Sequence, residues 1–318
     1  MRYRAIASVI LLALSALCAT ARADDAVTVR LKWFNQAQFA GFYVAQDKGF
    51  YKAAGLDVNV QPGGPDFPAV QMVTGGNEQF GVTGADQILI ARSKGVPVVA
   101  LAVIYRRNPF VLFSLAKSGI KSPADFAGKT IGIKIGGNEE LIYRAVLAKT
   151  AVDKSKLNEV PVKFDISPLL AGTIDVWPGY LINEVLAAKE KGFDVNVVSP
   201  TDYGIDLYAD TLFTTEKMLA EKPDVVRKFV TATLKGWADA IAAPDEAAKF
   251  TLKYGSKLAY DHEFAMMKAS LPLLQPDAKP LGWMDAANWS AMQKLLIDAG
   301  FQKTPVDVSK AFTVEFIK

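Results

Sequence analysis

The run Val98-Val99-Ala100-Leu101-Ala102-Val103-Ile104 constrains the fold more than any other feature, because no residue in it offers a polar face. A strand of this kind has to be covered on both sides, the condition met by a parallel sheet sandwiched between helices. The segments upstream fit such a sheet. Val27 to Trp33 alternates as a strand with one buried face, a helix is expected from Phe39 to Ala54 with Gly55 as its stop, and Leu56 to Val60 reads as the next strand. The turn Gln61-Pro62-Gly63-Gly64-Pro65 ends it. A helix over Asp66 to Thr74, a strand over Gln79 to Thr83 and a helix to Lys94 repeat the pattern, so the fold class is α/β around a mainly parallel sheet.

The chain opens Met1-Arg2-Tyr3-Arg4, continues with the apolar run Ala5 to Cys18 and reaches Ala19-Thr20-Ala21-Arg22-Ala23. A charged start, an apolar centre and an Ala-x-Ala site describe a secretory signal peptide over residues 1–23. The apolar run is shorter than the roughly 20 residues of a bilayer helix, so no membrane insertion of the mature chain is expected. Cys18 raises lipid attachment, but Leu17 stands where a small residue is wanted, and a free periplasmic protein is favoured. The mature chain then has no cysteine and must be held by apolar burial, which 51% hydrophobic residues can supply. Losing Arg2, Arg4 and Arg22 takes the net charge of +3 to about zero, which excludes a basic face for nucleic acid.

Roughly 295 residues remain after cleavage, enough for two lobes, since single cores stop growing near 250–300 residues. A second unit begins around Ser118 to Thr130, with strands expected at Ile131 to Ile133 and Val162 to Asp165, a further strand after Val176, a helix from Tyr180 to Lys191, and Val195 to Val198 beyond it. From Tyr208 onward the spacing of Val225, Phe229, Leu234 and Trp237 is helical. The expected layout is lobe 1 over 24–116, lobe 2 over 117–208 and a return to lobe 1 over 209–318. Crossings near Phe113 to Lys117 and Leu207 to Thr214 would form a two-strand hinge able to close around a ligand.

Candidate ligand contacts follow from this layout. Trp33 falls at the C-terminal end of its expected strand, the edge where open α/β sheets place their crevice, and offers a stacking face. Phe34, Phe39, Phe42 and Tyr43 surround it, with core packing as the alternative. Gly63-Gly64-Pro65-Asp66 is a strand-to-helix turn that could hold a polar group or be a turn capped by Asp66, and Gly136-Gly137-Asn138-Glu139 occupies the equivalent place in lobe 2. Trp177-Pro178-Gly179-Tyr180 and Glu184 add aromatics and an acid that could accept hydrogen bonds from an aminopyrimidine. The single histidine, His262, and the absence of a mature cysteine leave little for metal or thiol chemistry, so neither enzyme activity, cofactor nor metal is expected.

The segments Leu31-Lys32-Trp33-Phe34-Asn35-Gln36-Ala37-Gln38-Phe39-Ala40-Gly41-Phe42-Tyr43, Gly49-Phe50-Tyr51, Phe80-Gly81-Val82, Ser122 to Thr130, Asn183-Glu184 and Asp202-Tyr203-Gly204 resemble the thiamine-pyrimidine and sulfonate type of periplasmic binding protein over nearly the whole mature chain. The resemblance implies a type II periplasmic binding fold, two α/β lobes joined by a two-strand hinge. It also implies a monomer that delivers a small heterocyclic solute to an ABC permease and its ATPase. By the same resemblance Trp33 stacks on the ring, Asn35 and Phe39 line the first-lobe wall, Glu184 meets the pyrimidine edge, and Tyr180 and Tyr203 are second-lobe contacts. The implied ligand is a thiamine-precursor pyrimidine. Riboflavin is an alternative, as are sulfonate or nitrate with Arg106, Arg107 or Arg144 as donors. A related fungal family is an enzyme that makes the pyrimidine with a cysteine-rich loop, and this chain has no such loop.

Overall fold

The computed structural model describes residues 24–135, 138–275 and 277–317; the expected signal segment and Gly136-Gly137 lie outside the described residues. Ten strands follow in chain order: β1 (Asp25–Arg30), β2 (Leu56–Gln61), β3 (Phe80–Gly84), β4 (Val98–Val103), β5 (Phe110–Leu115), β6 (Thr130–Ile133), β7 (Asn158–Pro161), β8 (Trp177–Tyr180), β9 (Val195–Val198) and β10 (Asp210–Thr215). The first lobe holds a sheet of order β2-β1-β3-β10-β4. β1 runs parallel to β2 and β3, and β10 is antiparallel to both its neighbours. β4 is buried along its whole length, as its apolar sequence requires.

The second lobe repeats this plan. β5 lies antiparallel between β8 and β9, β6 runs parallel to β7, and a parallel bridge from Ile131 to Val176 joins the two groups. The resulting order is β7-β6-β8-β5-β9. In each lobe the strand next to the edge is the first one formed after the chain enters that lobe, and it alone runs against its neighbours. The architecture is that of a type II periplasmic binding protein.

β5 therefore belongs to the second sheet, and the outward crossing occupies residues 104–109, ahead of the expected Phe113 to Lys117. The return lies just before Asp210. The two crossings bond to each other: Ala209 N donates to Tyr105 O at 3.0 Å, and Ile104 N donates to Asp210 O at 2.7 Å.

Other boundaries shift for local reasons. β1 stops at Arg30 rather than Trp33, although Leu31 N still donates to Gln61 O at 2.9 Å. Beyond it the backbones crowd so closely that a β-carbon on Gly63 would lie 1.9 Å from Leu31 O. The helix expected over Phe39 to Ala54 is broken into Ala40–Asp47 and Phe50–Ala53 by Gly49, whose φ of 71° ends the first segment. The helix after the Gly63-Gly64 turn starts at Ala69 and not Asp66, because Phe67 precedes a proline and is kept out of the helical region. Trp177–Tyr180 is strand β8, and its helix begins only at Glu184; Pro178 and Gly179 suit neither helix interior. β7 sits at Asn158–Pro161, and the residues expected as that strand leave the ladder after Val162, whose N donates to Ile133 O.

After β10 the long helix Pro223–Ala242 packs its buried face, including Val225, Phe229 and Trp237, against Ala40–Asp47. The contact is set by two glycines. A β-carbon on Gly236 would lie 2.2 Å from Gly41 O, and one on Gly41 would meet the Trp237 ring. Gly236→Ala is expected to destabilise the protein by about 1–3 kcal/mol through overpacking, read as a lower Tm in thermal denaturation with unchanged far-UV circular dichroism at low temperature.

Candidate functional site

Two adjoining cavities occupy the boundary between the lobes. The inner one is lined by Lys32, Trp33, Gln36, Gln38, Lys134, Glu139, Tyr180, Asn183 and Glu184. The outer one, about 850 Å³, shares Lys32, Trp33, Lys134 and Glu139 with it and runs out past Phe34, Gly64, Asp66, Thr83, Gln87, Asn138 and Phe164. Trp33 comes from the irregular segment between β1 and the first helix, and its side chain borders both cavities. Its ring centroid lies 5.2 Å from that of Phe34 and 4.8 Å from that of Phe164, the latter edge-on from the second lobe. Phe34 and Phe164 are 49% and 43% exposed, so the mouth of the cleft presents an apolar rim.

Below the rim the polar groups pair within lobes. Lys32 Nζ lies 3.4 Å from Asp210 Oδ1, while Gln38 Nε2 donates to Asp210 Oδ2 at 2.6 Å. In the second lobe Lys134 Nζ donates to Glu184 Oε1 at 2.8 Å, and the other carboxylate oxygen accepts from Tyr180 N at 2.8 Å. Across the boundary Lys32 Nζ donates to Tyr180 Oη at 2.5 Å, and Lys134 lies 6.0 Å from the Trp33 ring centre. Burial acts to lower the Lys32 pKa, but Tyr180, Asp210 and Glu139 outweigh it and hold the ammonium above its ordinary range. Burial pushes the Tyr180 phenol up, and pushes the carboxyls of Asp210 and Asp86 up. Among the described residues Asp86 Oδ1 has no hydrogen-bond partner, a condition that costs about 1–3 kcal/mol.

Of the residues expected to touch ligand, Trp33, Gly64, Asp66, Asn138, Tyr180 and Glu184 line the cavities. Five do not. Phe39 is wholly buried in the first-lobe core. Tyr43 is buried too, stacked on Tyr254 at 4.1 Å, and its hydroxyl donates to Asn35 Oδ1 at 2.9 Å. Asn35 Nδ2 donates to Tyr254 O, so that side chain is spent inside its own lobe. Trp177 is packed in the second-lobe core with Phe113 and Leu169, because β8 turns it away from the cleft. Tyr203 closes a 3-10 turn beside the Asn138–Lys149 helix, away from both cavities. Asp66 lines the outer cavity without capping a helix. None of Arg106, Arg107 and Arg144 borders the cleft; Arg106 pairs with Asp277 at 2.5 Å and Arg144 with Glu159.

Sequence reasoning missed Lys32, Gln38, Lys134, Phe164, Asp86 and Asp210. A charged residue standing alone at the head of the apolar stretch Thr211-Leu212-Phe213 was the available signal for Asp210. Among the described residues no group of three metal-ligating side chains could hold a metal ion, and no helix is long and apolar enough to cross a membrane.

Residues 36–247 match the family model described as NMT1/THI5 like, which spans well over half of the chain. The chain belongs to the NMT1/THI5-like family. It is 31% identical over 304 residues to the riboflavin-binding protein RibY of Chloroflexus aurantiacus, an alignment covering 92% of this chain and 86% of that protein. It is 28% identical over 305 residues to the formylaminopyrimidine-binding protein of Halalkalibacterium halodurans, covering 92% of each. The periplasmic aliphatic sulphonate binding protein SsuA of Escherichia coli superposes with a TM-score of 0.72 at 15% identity, covering 90% of this chain and 97% of that one, a likeness of fold. Both relatives are named as binding proteins.

Buried Asp86 supplies a pH test. Its folded pKa is raised, so its contribution to stability is present at acid pH and is lost as pH rises above the ordinary carboxylate range through that raised value. Asp86→Asn removes the loss. Denaturant unfolding of the unliganded protein is expected to find the variant more stable than the wild type at pH 7, with the difference shrinking toward pH 4.

Proposed function

We propose that the mature chain is a periplasmic, non-enzymatic carrier that captures a flat nitrogen heterocycle and delivers it to an ABC permease with its ATPase. The ligand class we favour is the thiamine-precursor pyrimidine, of the formylaminopyrimidine or hydroxymethylpyrimidine type. The observation that carries this reading is the position of Trp33, an aromatic face bordering both cavities and flanked by a carboxylate and an ammonium, Glu184 and Lys134, on the opposite lobe. A flat ring against that face gains stacking worth about 0.5–1.5 kcal/mol beyond area burial. Two relatives, a formylaminopyrimidine-binding and a riboflavin-binding protein, support a heterocycle.

Riboflavin is a second reading, favoured by size. The outer cavity of about 850 Å³ is near the upper end of small-molecule sites and its apolar rim of Phe34 and Phe164 exceeds what one pyrimidine ring would cover. A small-anion ligand has less support beside Trp33, since Lys32 and Lys134 are matched there by acids in their own lobe and none of the candidate arginines borders the cleft, which leaves Lys94 and Lys163 on the outer cavity as the cations an anion could meet. The lone His262 borders neither cavity and is set against Glu190 and Asn183, which gives an active-site histidine no support.

Thermal-shift titration with an aminopyrimidine, riboflavin and an alkanesulfonate separates these readings. A true ligand at 100 times its Kd adds about 2.7 kcal/mol of stability. An aminopyrimidine is expected to raise Tm and the sulfonate to leave it unchanged; stabilisation by the sulfonate alone would overturn the heterocycle reading. Trp33→Ala is expected to cost the bound heterocycle more than about 1 kcal/mol of affinity, measured by calorimetry.

A further inference from the structure

Asp86 and Asn138 stand out because each is sealed from solvent, 1% and 3% exposed, with a polar atom left unpaired: Asp86 Oδ1 and Asn138 Nδ2. They come from opposite lobes. Asp86 lies in the first turn of the helix Ala85–Ser93, and Asn138 is the first residue of the helix Asn138–Lys149. A β-carbon on Gly84 would lie 2.2 Å from Asp86 Oδ1 and 3.5 Å from Asn138 Nδ2, so both atoms flank one point at the boundary. The outer cavity passes alongside, lined by the neighbouring Thr83 and Gln87 and by Asn138 itself, while Asp86 sits just behind its wall. The other oxygen, Asp86 Oδ2, already accepts from Gln87 Nε2 at 2.7 Å. What remains is one acceptor and one donor, both close to that one point.

Buried polar atoms of native proteins are almost always paired, and exceptions point to a partner that completes them. Resting on the heterocycle reading above, we propose that Asp86 Oδ1 and Asn138 Nδ2 together read one edge of the ligand ring. The carboxyl oxygen accepts from an N–H, and the amide donates to the ring nitrogen or carbonyl oxygen beside it. A 4-aminopyrimidine and the imide of an isoalloxazine both carry such an edge. A sulfonate carries no hydrogen to offer Asp86, so the same pair acts against anions. Because the two groups belong to different lobes, they converge on the ligand only when the lobes are closed.

The test uses the mature chain with two parent probes, 4-amino-5-hydroxymethyl-2-methylpyrimidine and riboflavin, and their blocked analogues, the 4-dimethylamino pyrimidine and N3-methylriboflavin. Calorimetry on wild type, Asp86→Asn and Asn138→Ala gives the affinities. A parent that binds wild type is expected to lose about tenfold on blocking of its N–H and up to about tenfold with Asp86→Asn, whose amide oxygen accepts more weakly, and the two losses should not add, because both act on the same hydrogen bond. Asn138→Ala should weaken the parent and its blocked analogue alike. Equal binding of parent and blocked analogue by wild type overturns the assignment while leaving the heterocycle reading intact. So does an Asp86→Asn penalty that is the same for parent and analogue, which would make the pair a lobe-to-lobe latch. Failure of both parents to bind wild type overturns the heterocycle reading and this proposal with it. The unliganded Tm of Asp86→Asn, expected at or above that of wild type, separates lost binding from lost folding, and Asn138→Ala is a second variant by which the pair can be judged.

Discussion

Asp210 is the residue on which hinge and cleft both depend. It is the first residue of β10, the strand that re-enters the first lobe, and its carbonyl oxygen accepts from Ile104 N and Tyr105 N of the outgoing crossing. Its side chain holds Gln38 and Lys32, and Lys32 in turn reaches Tyr180 of the second lobe. Register places it opposite Gly84, the glycine beside Asp86 and Asn138. A carboxylate that is 1% exposed is costly unless matched, and here the match is Lys32. The folding of the hinge and the charge balance of the cleft floor are therefore one arrangement, fixed once β10 docks between β3 and β4.

Much of the architecture was legible in the order of apolar runs and glycine-rich turns. The all-apolar β4 demanded a covered sheet, and strand-helix alternation on either side of it supplied the layers. What escaped was whatever depends on distant chain. β5 is as apolar as β4 and was assigned to the same lobe, since nothing in Phe110-Val111-Leu112-Phe113 shows which sheet it will join. The strand expected after Val176 is there as Trp177–Tyr180, but nothing local shows that it pairs with β5 or that it holds Tyr180 out of the helix, which starts only at Glu184. Within the site, the aromatic cluster was legible but its division was not. Trp33 faces the cleft while Phe39 and Tyr43 face the core, because the helix beginning at Ala40 is packed against Pro223–Ala242, nearly two hundred residues later in the chain. Nothing local marks Asp86 or Asp210 as buried, for the same reason: Asp210 meets Gly84 only through β10, and Asp86 is closed in beside Asn138 of the other lobe, both from far along the sequence.

The distribution of strong and weak contacts explains how such a molecule can open. The buried ion pairs are internal to a lobe: Arg30 with Glu78 and Lys32 with Asp210 in the first, Lys134 with Glu184 in the second. Separating the lobes breaks none of them and strands no bare charge in water-poor surroundings, which would be the expensive step. The contacts that do cross are of a cheaper kind. They include the Lys32–Tyr180 hydrogen bond, the edge-on meetings of Trp33 and Phe34 with Phe164, the approach of Lys134 to the Trp33 ring, and the contacts of His262 with Glu190 and Asn183. The aromatic and half-exposed contacts are worth roughly 1 kcal/mol each and the Lys32 bond, with its charged donor, about 1.5–3 kcal/mol, since water or solvent ions replace much of what is lost. Closure by protein contacts alone is thus nearly balanced, and the binding energy of a ligand that adds contacts to both lobes decides it. Lys32 and Lys134 are neutralised within their own lobes, so beside Trp33 the cleft offers little free charge and selection there falls to shape, stacking and hydrogen-bond pattern, the properties by which flat heterocycles differ from one another.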